Sequence, residues 1–346
     1  MEQLIAVRTP GEQEQWNSEA GLPPFDPRDL VRHAPDAHWN MVSSDGATVG
    51  RCSLWWRHAP SLPGHRLGII GHYAVREAAA ARGLLQHACE QLAARGCTMA
   101  VGPMDGNTWR RYRLITDRGT KPVFFLEPDN PDDWPAHFTG SGFTALAHYT
   151  SAIDTCLGDP YPGADKVGAR AAARGIRIRS IRLDRFEDEL RHLYAVASVS
   201  FRDNFLYSPL GEAEFIAQYR PLQSYIRPEL VLLAEQESQP IGFLFALPDL
   251  LQSQQSSARR RSSEQALDTF IFKTIAVHPN YRTAGLGSLL VAHCQEAARR
   301  LGYKRAIHAL MHETNHSRKL SHRYEGQTFR RYALFGRRLS SSLEAP

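Results

Sequence analysis

Residues 274–290 read Thr-Ile-Ala-Val-His-Pro-Asn-Tyr-Arg-Thr-Ala-Gly-Leu-Gly-Ser-Leu-Leu, and they combine what the binding of a phosphorylated ligand requires. An apolar, β-branched run ends at Val277, Pro279 breaks it, and a turn bearing Gly285 and Gly287 opens an apolar-periodic helix. The backbone N–H groups of such a turn converge at the positive end of a helix dipole, a ready seat for a pyrophosphate. Gly285 and Gly287 let phosphate oxygens approach the main chain. Arg282 supplies a cation, Ser288 a hydroxyl, and Thr283, Ala284 and Leu286 further backbone donors.

Three phosphate turns compete for this stretch. A Walker loop needs Lys after its last glycine, and none follows Gly287. A dinucleotide fingerprint needs three spaced glycines after the first strand and an acid further on, and both are missing. Arg282-x-x-Gly285-x-Gly287, preceded by Ala276-Val277-His278-Pro279, resembles the coenzyme A motif of the GNAT superfamily of N-acetyltransferases.

That resemblance runs from about residue 176 to 339 and implies an acyl-CoA donor, acetyl by default or a longer acyl group. It implies a pantetheine arm lying between splayed fourth and fifth strands, against the backbone of Ile275 and Val277, with Asn315 beyond the fifth strand. It implies direct transfer of the acyl group to a primary amine of a small molecule or peptide. The family's usual acid is a Tyr about seven residues after that Asn; here His322 stands seven residues on and Tyr324 nine, and Gln327 replaces the usual Phe. Tyr324 is the first candidate for the acid and His322 the second. Glu313, His312 and His308 are the candidates for a base, although a solvated strand end accounts for each of them better. His308, His312 and His316 have the spacing of one helix face, but they fall on a strand and a loop, so no metal site is expected.

The elements that must hold these residues follow from periodicity. In the second half, 176–183 alternates as a strand, 187–201 and 212–219 are helical, and 230–235 with 240–247 form a hairpin. A strand at 269–277, a helix at 285–300 and strands at 304–311 and 328–339 complete it. Phe270 and Phe272 would line an acyl tunnel or a core. The arginines flanking the last strand fit a solvated edge better than a role in holding an acidic acceptor or the cofactor's phosphates. The first half repeats the order: a hairpin within 38–57, a strand at 67–75, a helix at 77–94, a strand at 98–101. An offset of 205 lays Leu84-Leu85 and Cys89 on Leu289-Leu290 and Cys294, which suggests an internal duplication. The same offset puts Glu77 on Arg282, Ala80 on Gly285 and Arg82 on Gly287, so the first half is expected not to bind coenzyme A. Residues 138–143 and Tyr149 resemble the superfamily's ending more remotely. Gly106, Asn107 and Trp109 are the candidates there for contact with the acceptor.

The expectation is therefore an α/β (α+β) protein of two tandem GNAT-like domains, each a mixed, mostly antiparallel sheet flanked by helices. Residues 1–153 form a degenerate copy, 154–175 a linker and 176–346 the catalytic domain, with a polar loop at 251–265. A binding protein that senses acyl-CoA without turnover is the alternative. With 346 residues, a net charge of +5 and 22% charged residues, the composition is that of an ordinary globular protein. Its arginines are dispersed, which argues against nucleic acid. No apolar run has membrane-spanning length, and the first residues lack a secretory pattern. Five cysteines without a C-x-x-C pair suit a reducing cytoplasm. A monomer acting as an intrachain pseudo-dimer, or a homodimer, is expected.

Overall fold

The computed structural model describes residues 2–16, 21–155, 157, 163–252, 267–314 and 326–340, without the side chains of Thr283 and Ala284. The first half contains β1 (Gln3–Val7), α1 (Pro10–Glu14), α2 (Asp29–Arg32), β2 (Ala37–Val42), β3 (Thr48–Trp55) and β4 (Leu67–Val75). It continues with α3 (Ala78–Ala94), β5 (Met99–Gly102), β6 (Leu114–Asp117), α4 (Trp134–Gly140) and β7 (Thr144–Asp154). The second half holds α5 (Ala164–Ala173), β8 (Ile176–Ser180), α6 (Phe186–Ser200), α7 (Glu212–Tyr219), β9 (Val231–Gln236) and β10 (Gln239–Pro248). β11 (Thr269–Val277), α8 (Leu286–Arg300), β12 (Arg305–His312) and β13 (Gln327–Arg338) close it.

Local chemistry explains most of these boundaries. β9 alternates two apolar sets: Val231 and Leu233 face the core under α6 and α7, and Leu232 and Ala234 the core under α5 and α8. A strand buried on both faces reads as a continuous apolar run, and this one does. Between β9 and β10, Glu237 and Ser238 both take left-handed φ, +49° and +66°, the two-residue turn whose twist matches a hairpin. α3 buries Leu84, Leu85, Ala88, Cys89 and Leu92 on one stripe, as the helical period requires.

All thirteen strands among the described residues belong to one sheet, ordered β1-β2-β3-β4-β5-β13-β7-β12-β11-β10-β9-β8, with β6 beside β13. β4 and β5 run parallel across α3, and β11 and β12 run parallel across α8. The duplication is therefore visible in the topology. The two final strands, however, have changed places. β13, from the end of the chain, pairs with β5, while β7 of the first half pairs with β12. β7 and β13 also pair with each other, from Gln327 opposite Ile153 to Gly336 opposite Thr144. Neither half completes its sheet alone.

A buried ion pair locks this exchange. Arg330 of β13 and Glu127 of the first half are both fully shielded, with Nε 2.8 Å from Oε1. The guanidinium also donates to the carbonyls of Arg118, Lys121 and Pro122, and Tyr332 donates its hydroxyl to Glu127. The run 328–339, expected to be a solvated edge strand, lies in the middle of the sheet. The segment 154–175, expected to be a linker, contains α5, whose Val167 and Ala171 join the core beneath α8. Most of the polar loop at 251–265 lies outside the described residues.

Candidate active site

The strand–turn–helix expected around Arg282 is present. β11 ends at Val277, a 3-10 turn spans Pro279–Ala284, and Gly285 enters α8 with φ +74°, a left-handed value that suits glycine. The N-cap of α8 is Gly285, which has no side chain to cap the helix, and the N-terminus of a helix presents backbone N–H groups. At Gly287 an added Cβ would meet only Ile275 and Val277 methyls, at 3.8 and 3.9 Å. Packing alone therefore tolerates a side chain there; bare backbone has its use in what approaches from outside. Arg282 is held by a 2.9 Å hydrogen bond from Nη2 to the Ser200 carbonyl at the end of α6, and it stays about half exposed. Leu286 and Ser288 are buried, while Ile275 and Val277 are half-buried against the same core.

Upstream of the turn, the two parallel strands part. β11 and β12 are in register only from Thr269–Arg305 to Phe272–His308. Just past that rung both strands bulge. Thr274 and Phe272 sit opposite Phe245 and Ala246, which leaves Lys273 as the extra residue. On β12 the register with β7 shifts between His308 and Met311, and Leu310, at φ +56°, donates its N–H to Ser151 Oγ. A bulge bends its strand and strengthens the local twist. Two at one level, on neighbouring strands, open a wedge. The wedge contains a cavity of 170 Å³ lined by Phe201, Phe272, Thr274, Ile275 and His308 among others.

A larger cavity of 760 Å³ adjoins it and shares Phe201, Lys273, Thr274, Ala309 and Leu310 with it. Much of its wall comes from the first half. Trp109 enters an aromatic group with Phe201, Tyr207 and Phe215, and its Nε1 donates to the Ser208 carbonyl at 2.9 Å. Arg110 bonds Glu214 of α7 at 2.6 Å, and the Phe125 N–H donates to Asp249 at 2.8 Å. His312 stands between Tyr149 and Phe205. Its Nδ1 lies 2.8 Å from the Thr314 hydroxyl and 3.2 Å from the Thr314 N–H; with Nδ1 accepting from both, the neutral ring would carry its proton on Nε2. That nitrogen has no partner among the described residues. Burial lowers the pKa of His312, and it lowers that of His308 to about 4. Both rings are therefore neutral at pH 7, and His312 offers the cavity a donor.

In the first half the corresponding seat is closed. Val75 and Val277 each face a glycine of the preceding strand, Gly50 and Gly242, which aligns β4 with β11. By that alignment only Arg76 and Glu77 connect β4 to α3, where residues 278–285 connect β11 to α8. The phosphate turn is deleted, and Ala80 and Arg82 lie within α3 itself. The wedge between β4 and β5 is filled as well. Met104 donates its N–H to the Ile70 carbonyl at 2.8 Å, and the His72 N–H donates to Asp105 at 2.6 Å. A Cβ on Gly71 would lie 2.0 Å from the Met104 carbonyl oxygen. The chain's own backbone thus occupies the place where an arm would lie.

Of the residues singled out from sequence, Arg282, Gly285, Gly287, Ile275 and Val277 come together at one end of β11. Glu313 follows β12 and is exposed; its N–H donates to the His148 carbonyl. Asn315, His322 and Tyr324 lie outside the described residues. Trp109 lines the large cavity, whereas Gly106 packs on Trp55 and Asn107 accepts from the Trp109 N–H. Arg113 and Lys273, which also line the cavity, carry no motif; only the exchanged topology brings them there.

Residues 190–324 match the model of the acetyltransferase (GNAT) family. The bacterial ceramide synthase of Caulobacter vibrioides is 24% identical over 213 residues, which cover 61% of this chain and 56% of that protein. The chain thus spans about half the length of this relative. Among solved structures, a tandem GNAT protein from the clavulanic acid biosynthesis pathway superposes with a TM-score of 0.50 at 14% identity, covering 99% of this chain and 100% of that one. A GCN5-related N-acetyltransferase from Anabaena variabilis gives 0.53 at 9% identity, covering 98% and 73%. At these identities the superpositions speak for the fold.

Proposed function

We propose, from the match of residues 190–324 to the GNAT family, that the chain is an N-acyltransferase carrying an acyl group from acyl-CoA directly to a primary amine. The observation that carries this reading is the wedge between β11 and β12, which opens beside an uncapped helix N-terminus and Arg282. A pyrophosphate at Gly285–Ser288 directs a pantetheine arm along Ile275 and Val277 into the wedge. The thioester then lies near the Lys273 bulge, where backbone N–H groups released from the ladder stabilise the oxyanion. The neutral amine attacks from the large cavity. A C–N bond forms, the C–S bond breaks, the nitrogen loses a proton to a base and the departing thiolate gains one from an acid. Tyr324, with His322 second, is the acid, and Glu313 is the candidate base. His312 serves as a hydrogen-bond donor to the acceptor. The first half binds no donor and builds the acceptor wall.

The apolar side of the cavity, with Phe124, Phe125, Leu222, Leu247 and Ile271, and the relative named a ceramide synthase favour a long acyl chain as a second reading for the donor. Thiol release from acetyl-CoA and from C8 and C16 acyl-CoA, with and without a panel of primary amines, tests both. The expected result is release that depends on the amine. No release with any amine, from a protein that binds coenzyme A, would leave an acyl-CoA sensor in place of an enzyme, and release indifferent to every amine would mean thioester hydrolysis in place of transfer.

A further inference from the structure

Arg113 sits in the wall of the large cavity and is 7% exposed. Its guanidinium lies over the rings of Tyr112 and Tyr149, at 3.9 and 4.3 Å from their centroids. Among the described residues it forms no salt bridge. Its side chain makes one long hydrogen bond, 3.4 Å from Nη1 to the Leu310 carbonyl, and Nε makes none. Burying a guanidinium without a carboxylate costs several kcal/mol, and the two tyrosine faces offset only part of that. The three acids among the residues lining the cavity are engaged elsewhere. Glu127 is held by Arg330 and Tyr332, Asp29 pairs with Arg32, and Asp105 accepts from the His72 N–H. Lys273, which also lines the cavity, forms no salt bridge among the described residues; its Nζ is 3.4 Å from the Tyr219 hydroxyl.

We infer that Arg113, seconded by Lys273, receives a carboxylate on the acceptor, which is therefore an amino-acid-like amine. The inference rests on the donor reading above. Leu310, to which Arg113 bonds, lines both cavities, as does Lys273. An anion held there is within a few bonds of a nitrogen that attacks a thioester in the wedge, the spacing of an amino acid. A guanidinium fork matches a carboxylate with two parallel hydrogen bonds, which an ammonium cannot reproduce. The tyrosine rings fix the plane of the fork in advance and lower the cost of ordering it.

Calorimetric titration with N-acetylglycine and with its uncharged twin N-acetylglycinamide tests this, alongside coenzyme A as a separate ligand. Wild type should bind the acid at least about tenfold more tightly than the amide. Arg113→Met should remove that preference, and Lys273→Met should reduce it. Should Arg113→Met fail to fold, Arg113→Lys keeps the charge, loses the fork and should lose most of the preference. Equal binding of acid and amide by a wild-type protein that does bind coenzyme A overturns the inference alone. Preference for the acid without coenzyme A binding leaves the anion site standing and removes the donor reading.

Discussion

Glu127→Ala should destabilise the protein by about 3–5 kcal/mol, the cost of leaving a buried partner charge uncompensated. Arg330 is fully shielded, and its remaining acceptors are the carbonyls of a loop that Glu127 itself helps to hold through the Phe124 N–H. The pair is an expensive lock, because burial pushes the Glu127 pKa up despite Arg330 and the Tyr332 hydroxyl. The double variant Glu127→Leu with Arg330→Met should therefore regain much of the loss, since apolar replacements of both partners remove two desolvation penalties together. Because β13 and β7 are exchanged, the loss should appear in one cooperative unfolding transition. Urea titrations of the two singles and the double measure this. Two separate transitions, with only one moved by Glu127→Ala, would mean that the halves are independent domains.

Acid should unfold the protein in a window that opens well above the carboxylate range. His33, His72, Ser53 and His38 form a buried chain of hydrogen bonds of 2.7, 2.8 and 2.7 Å. Burial, then Arg110, lowers the pKa of His33 to about 4, and burial, then Arg51, lowers that of His38 to about 3. His72 is driven down by burial and by its two histidine neighbours. The unfolded state binds these protons near pH 6.5 and the folded state does not, so their contribution is intact above 6.5. It is lost progressively as pH falls from 6.5 through about 4 towards 3. Asp29 and Glu214 oppose the shift at His33. Asp105, raised to about 6 by burial, works in the opposite direction, as do the buried Glu127 and Asp249, and they offset part of the effect. At about 1.4 kcal/mol per pKa unit the total reaches several kcal/mol. The midpoint of thermal unfolding, followed from pH 7.5 to 4.5, should fall steadily below 6.5, and His38→Gln should flatten the curve. A midpoint unchanged down to pH 5 would show that the imidazoles are charged in the folded protein.

The second half was legible because its signals are local. The 269–277 strand, the 212–219 helix and the turn at 285–287 are written in side-chain period, glycine placement and proline. The closure of the first half's wedge was legible only by substitution: Glu77 in place of Arg282 hinted at it, but a deleted turn and a plug at Met104 and Asp105 leave no motif. The exchange of β7 and β13 was not legible at all. Both strands alternate as well in an edge position as in the centre, and pairing partners far apart in sequence have no local signature. Arg113 was hidden for the same reason, since its chemistry depends on a cavity that only the exchanged sheet creates.

The central claim is that one seat, at Arg282, Gly285 and Gly287, receives the donor. Isothermal titration of coenzyme A into wild type and into Arg282→Glu, with circular dichroism to verify the fold, addresses it most directly. Binding in the micromolar range with a stoichiometry of one is expected, weakened by at least about 100-fold when a carboxylate replaces the guanidinium beside the pyrophosphate. Equal affinity in the two proteins, or no binding to wild type, would contradict it.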